Sequence, residues 1–195
     1  MSRKIYPPRV PRFAAGIRAQ ESRTGGGRSW WAKEWLRRLE SMGLRGRLGR
    51  GRSYAASGQV VSMEISGPRV VAKVQGSRQE PYVVSLDFRF PDGAVRRKLV
   101  GALRSEPMLV ARLLADDLPT EVAEAFSDAG FCLFPGAKLA PGRYDMTSSC
   151  TCPDYANPCK HTAAVLLLLG EEVARRPLTL LELRGMLVED LCDED

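Results

Sequence analysis

The sequence contains no apolar run long enough to cross a bilayer. Its longest, from Ala163 to Leu169, falls far short of the roughly 20 residues that a spanning helix needs, so no membrane span is expected. The opening residues, MSRKIYPPRV, are charged and proline-containing and lack the apolar block of a secretory signal. The expected location is therefore the cytosol, on the nucleoid if the source is bacterial. Thiol buffers there keep cysteines reduced, and an odd total of five cysteines also argues against a disulfide framework. Histidine is scarcer still, with His161 the only one.

What is present suits an ordinary folded chain. At 195 residues, 44% hydrophobic and 27% charged, it is long enough for one main body with an irregular N-terminal arm. The net charge of +6 is unevenly spread: residues 1–60 carry +11, residues 61–170 are neutral and residues 171–195 carry −5. A polyanionic partner is expected at the basic first third, a solvated arm being the bland alternative.

Residues 1–28 hold Pro7, Pro8, Pro11 and Gly25 to Gly27 among scattered arginines, and read as a basic arm, extended or disordered when unbound. A helix is expected over residues 29–44, with Ser29 as cap and Gly43 as stop. Trp31, Trp35, Leu39 and Met42 form one stripe on it, with Lys33 and Arg37 facing away. The tryptophans read as docking anchors rather than base-stacking platforms. Residues 45–58 follow as an Arg/Gly-rich connection in which Arg45, Arg47, Arg50 and Arg52 alternate with Gly or Leu. Glycine allows close approach to a phosphate and guanidinium grips it in bidentate fashion, so these four arginines, with Lys33 and Arg37, are the candidate nucleic-acid contacts.

Residues 59–90 change to strand periodicity. Runs at 60–65, 69–74 and 82–88, broken by Ser66-Gly67-Pro68 and by Gly76 to Pro81, predict a three-stranded antiparallel meander. Residues 91–135 read as short helices, with Pro107 and Pro119 near helix starts. The predicted fold class is thus α+β, a small meander with helices, closed by a zinc knuckle over 136–195 that leads into C-terminal helices. Leucines 178, 180, 181, 183, 187 and 191 exceed what one buried stripe needs, which suggests a partner-facing surface, with added core packing as the alternative.

The knuckle carries the sharpest chemistry. Cys150, Cys152, Cys159 and His161 form C-x-C-x6-C-x-H. Zinc takes four nitrogen or sulfur ligands at tetrahedral corners. In a strand over 143–149, alternate side chains share a side, so Cys150 and Cys152 converge; Pro153 breaks the ladder, and the chain turns back through Asp154, Asn157 and Pro158. Residues two apart on a helix point about 200° apart, so Cys159 and His161 can share a metal only at an irregular helix start. Four protein ligands leave no place for water, which makes the one zinc structural. Cys132 and Cys192 read as ordinary free thiols. With the histidine committed to metal, no Walker-type glycine loop and no acid pair at catalytic spacing, neither an enzymatic role nor a small-molecule substrate is expected.

This pattern, followed by an apolar helix, resembles the SWIM zinc finger, whose family pattern is C-x-C, a variable spacer, then C-x-H. Trp30-Trp31, RGRSYAASGQV, VQGSRQEPYVV and Leu133-Phe134-Pro135 further resemble the stand-alone bacterial SWIM-domain proteins, so that the resemblance covers most of residues 29–187. Those proteins are associated with Swi/Snf-type helicase-like ATPases, and SWIM fingers elsewhere occur in transposase-like proteins, recombination accessory factors and some ubiquitin ligases. The resemblance implies an accessory protein that binds DNA, in preference to RNA, and partners such an ATPase. The rival is an interaction scaffold whose basic N-terminal arm docks on an acidic protein or a ribonucleoprotein machine.

Overall fold

The computed structural model describes residues 10–20, 29–140, 143–154 and 156–192. Helix α1 (Trp30–Leu39) follows Ser29, which holds the cap position without making a side-chain capping bond. The predicted stripe of Trp31, Trp35, Leu39 and Met42 is buried, and Lys33 and Arg37 are exposed. Gly43 interrupts the helix as expected, taking the left-handed φ of 77° at a kink within Glu40–Leu44. Helical structure then resumes at once. Residues 45–58, expected as a connection, are corrected here: most of them form α2 (Arg45–Ala56), whose Leu48, Tyr54 and Ala55 are buried.

The meander forms as its period predicts, from β1 (Val60–Ser66), β2 (Arg69–Val74) and β3 (Tyr82–Phe88), with Ile65 opposite Val70 and Val70 opposite Leu86. Val70, Ala72, Val74, Val84 and Leu86 point inward while Lys73 and Asp87 face solvent, the alternation of a sheet buried on one face. Three helices follow, α3 (Gly93–Arg104), α4 (Pro107–Leu114) and α5 (Thr120–Asp128), with Pro107 at the first turn of α4. A small hairpin, β4 (Lys138–Ala140) with β5 (Arg143–Tyr144), leads into β6 (Met146–Cys150). β6 then pairs antiparallel with β3 to give the sheet order β1-β2-β3-β6. That fourth strand makes the knuckle an extension of the sheet.

Helix α6 (Lys160–Arg175) is the centre of the molecule. It is buried on nearly every side from His161 to Leu169, as expected of a helix that is apolar all round. The indole N–H groups of Trp31 and Trp35 donate to its Val173 and Leu166 carbonyls, each at 3.1 Å. Helix α2 lies still closer: a Cβ at Gly51 would sit 2.8 Å from Ala163 Cβ and 3.0 Å from its backbone. Glycine at 51 is therefore a packing requirement, which offsets its poor helix propensity.

Helices α7 (Leu178–Leu183) and α8 (Glu189–Cys192) complete the core. Leu178, Leu180, Leu181, Leu183 and Leu191 are buried, so the leucine excess packs inward and the expected partner-facing surface is corrected; Leu187 alone of the six is half exposed. Behind α7, the fully buried Arg184 donates to Asp145 Oδ2 at 2.6 Å, to Leu133 O at 2.9 Å and to Arg89 O at 2.6 Å. Burial pushes its guanidinium below the usual range, and the Asp145 carboxylate opposes that shift.

The N-terminal arm departs from expectation where it is described. Its backbone bonds the body through Arg12 N to Gly76 O at 2.9 Å, Gly16 N to Gly58 O at 3.0 Å and Ile17 N to Val60 O at 2.7 Å. The rest of the expected flexible arm, residues 1–9 and 21–28, lies outside the described residues. No described helix is long and apolar enough to cross a membrane.

Candidate metal centre

β6 and the two residues after it deliver the first two ligands. Cys150 is the strand's last residue, opposite Val84 of β3. The ladder runs one step further, with Thr151 N donating to Val83 O and Val83 N donating to Thr151 Oγ1, both at 3.0 Å. The chain then reverses. Asp154 Oδ1 accepts from Ala156 N at 3.2 Å, and Asn157 ties the return to β6, donating to Ser148 O at 2.5 Å and accepting from Ser148 Oγ at 2.8 Å. Cys159 arrives in extended conformation (φ −91°, ψ −179°) as the cap of α6, and His161 is the second residue of the helix. The irregular start that the C-x-H spacing demands is therefore a cap lying outside the helical twist.

The four ligand atoms of Cys150, Cys152, Cys159 and His161 lie within 4.8 Å of one another. Cys150 Sγ and Cys159 Sγ stand 3.8 and 3.7 Å from His161 Nδ1. A tetrahedral zinc with Zn–S of about 2.3 Å and Zn–N of about 2.0–2.1 Å would set sulfur and nitrogen about 3.6 Å apart. The geometry fits, and it assigns Nδ1 as the histidine ligand.

Ionisation points the same way. The Cys159 thiol is held well below its usual range, chiefly by its hydrogen bond with Cys150. Cys150 is pushed up, chiefly by that same bond, and burial pushes Cys152 up. Zinc binds cysteine as thiolate. A bound cation drives off the remaining protons and takes their place, leaving a site of net charge −1 at the positive end of α6's dipole.

The surrounding shell was hidden from sequence reasoning. The His161 ring is enclosed by Tyr54 of α2 (centroids 5.1 Å apart, 72° between planes) and Tyr82 of β3 (4.8 Å, 37°). With Nδ1 on the metal, the imidazole proton sits on Nε2, which is buried without a conventional partner. The Tyr54 and Tyr82 rings packed on the imidazole fix its orientation. The only sequence signal was indirect: Tyr54 lies in RGRSYAASGQV and Tyr82 in VQGSRQEPYVV, two of the stretches that carry the family resemblance.

The candidate nucleic-acid residues are less uniformly placed. Arg50 and Arg52 are exposed on α2, Arg47 is half-buried, and Arg45 is the first residue of the helix. Lys33 is exposed on α1, whereas Arg37 is engaged by Glu34 through two bonds of 2.6 Å. Two further cations belong to the neighbourhood of the metal: Lys160 Nζ lies 5.1 Å from the Tyr54 ring centre, and Arg78 lies 5.9 Å from that of Tyr82. Cys132 and Cys192 are exposed, well separated in sequence from the ligand set.

Comparison with known proteins agrees with this centre. The SWIM zinc finger family model matches residues 143–170, the span from β5 through most of α6 that contains all four ligands. The chain is also 36% identical over 193 residues to the uncharacterized protein Rv2102 of Mycobacterium tuberculosis, an alignment covering 98% of this chain and 68% of the relative. No solved structure matches. A complete ligand set in tetrahedral reach, held within a matched SWIM finger, in a chain related to that protein along almost its whole length, makes this chain a zinc-binding member of the SWIM zinc finger family.

Proposed function

We propose that the protein is a non-enzymatic accessory factor that binds DNA through α2 and the basic groups around the finger, and partners a Swi/Snf-type helicase-like ATPase. The observation that carries the nucleic-acid half is the placement of α2. No acid occurs between Glu40 and Glu64, and the helix spanning this stretch lies directly on the finger helix. With Leu48, Gly51, Tyr54 and Ala55 turned toward α6, the outward strip is Gly46, Gly49, Ser53 and Ala56. At 100° per residue, Arg50 and Arg52 flank that strip on opposite edges. A narrow, side-chain-poor ridge with guanidiniums on both sides can approach a phosphate backbone closely.

Arg45, Arg47, Arg50 and Arg52 should then contribute phosphate contacts that do not read sequence. If each neutralises one phosphate, changing all four to Ala should reduce the logarithmic salt slope of duplex binding by about 3 to 4 units. The measurement is a salt titration on two unrelated duplexes, with zinc content as control. A variant that keeps both its zinc and the wild-type slope would remove α2 from the interface.

The ATPase half rests on the family resemblance. A tagged copy recovered from its own cells should bring a helicase-like ATPase with it, and recovery at native abundance without one would remove that half. The scaffold reading has one feature in its favour, the exposed Met108 and Leu114 on α4, and it would gain from the second result.

A further inference from the structure

We propose that the cavity beside His161 receives one unstacked nucleobase of an unpaired strand. The inference rests on the nucleic-acid reading above and deepens it by naming the form of the nucleic acid and the place that holds it. The cavity measures ≈250 Å³ and borders the metal site: besides the ligands Cys152 and His161 it is lined by Tyr54, Ser77, Tyr82, Pro153, Asp154 and Lys160. Sites for drug-sized ligands span about 300–1,000 Å³, so this one suits a single ring system.

Its polar groups are unusual. Tyr54 and Tyr82 are only 8% and 5% exposed, and a buried tyrosine ordinarily finds a partner for its hydroxyl. Neither hydroxyl has one among the described residues. Nor is either sealed away, since His161 Nε2 alone among described buried side-chain atoms is both buried and unpartnered. Both tyrosines thus line the cavity while more than nine-tenths buried, with hydroxyls that are neither paired nor sealed off.

The chemistry of the wall selects the ligand. Lys160 supplies a cationic donor, Asp154 an anionic acceptor, and the hydroxyls of Ser77, Tyr54 and Tyr82 can serve either way. A nucleobase edge carries donors and acceptors side by side and matches such a mixed set. A free phosphate, with acceptors only, would be repelled by the Asp154 carboxylate. A base stacked and paired within a duplex cannot enter, because both its faces and its edge are engaged, whereas an unpaired strand escapes most of that cost. A basic group for the strand's backbone stands nearby, with Arg78 beside Tyr82, and Arg50 lies one turn before Tyr54 on α2.

The test uses the full-length, zinc-loaded protein and a twelve-nucleotide single strand bearing one 2-aminopurine, compared with its duplex. Wild type should bind the single strand about tenfold more tightly, and the emission of the 2-aminopurine, which responds to stacking, should change on binding. Tyr54→Phe with Tyr82→Phe removes only the two hydroxyls. Losing both hydrogen bonds should weaken single-strand binding roughly tenfold, with zinc content and melting temperature held as controls. Equal binding of both forms by wild type with unchanged emission would overturn the proposal and leave nucleic-acid binding intact. Binding of neither form would instead overturn the nucleic-acid reading itself, and the cavity assignment with it.

Discussion

Changing Cys159 to Ser should strip the zinc and unfold most of the described body, well beyond the knuckle. Cys159 joins the two halves of the ligand set, capping α6 and standing 3.7 Å from His161 Nδ1. Structural zinc supplies about 10–16 kcal/mol of apparent binding energy in small peptides, comparable to the whole stability of about 5–15 kcal/mol of a domain. Here the metal organises the start of the central helix, and α1, α2 and the sheet all pack on that helix. Elemental analysis of wild type purified without chelator should give one equivalent of zinc. The variant should show less zinc and a cooperative loss of helical circular dichroism at lower temperature. A metal-free protein that melts like wild type would refute a structural role. The arrangement also ties the arginine-bearing helix to the finger. Gly51 touches Ala163, and Tyr54 of the same helix encloses His161, so loss of zinc should loosen α2 as well.

Arg184→Ala should cost about 3–5 kcal/mol, the range for removing one partner of a buried ion pair. The side chains of Arg184 and Asp145 are 0% and 4% exposed, so an Asp145 left alone has little water to replace its partner. The substitution also orphans the Leu133 and Arg89 carbonyls. Asp145 Oδ1 meanwhile accepts from Gly136 N at 2.6 Å, so the pair fastens the ends of β3 and β6 to α7 and to the segment before β4. Urea denaturation with constant slope would measure the loss. Removing both partners, as Arg184→Met with Asp145→Ala, should cost less than the sum of the single changes, because neither charge is then left buried alone. A single-variant loss below about 1 kcal/mol would mean that water reaches the site, contrary to its burial.

Much of this was legible where neighbouring residues dictate one another's geometry. The meander could be read because its period of two and the Ser66-Gly67-Pro68 break are local properties of the chain. The buried stripe of α1 was legible for the same reason. Helix α2 was not, since Gly46, Gly49 and Gly51 each cost about 1 kcal/mol of helix propensity relative to Ala. The spacing of Leu44, Leu48, Gly51 and Ala55 is helical, yet only contact with Ala163 makes a glycine at 51 favourable. The docked arm left no trace either, because residues 12, 16 and 17 are held by backbone N–H groups that every residue except proline possesses.

The sequence by itself determined the metal and its ligands. Chelation by C-x-C and C-x-H depends on side-chain type and on separations of two residues, and covalent geometry imposes these before any tertiary contact forms. It also determined the α+β class and the concentration of positive charge in the first third. Only the tertiary structure decided that α2 lies against the finger helix, that the leucines of α7 face inward, that Arg184 meets Asp145 and that Tyr54 and Tyr82 close over His161. Those pairs join residues 39 to 107 positions apart. Their meeting follows from which apolar faces bury against one another across the whole chain, and no local spacing records it.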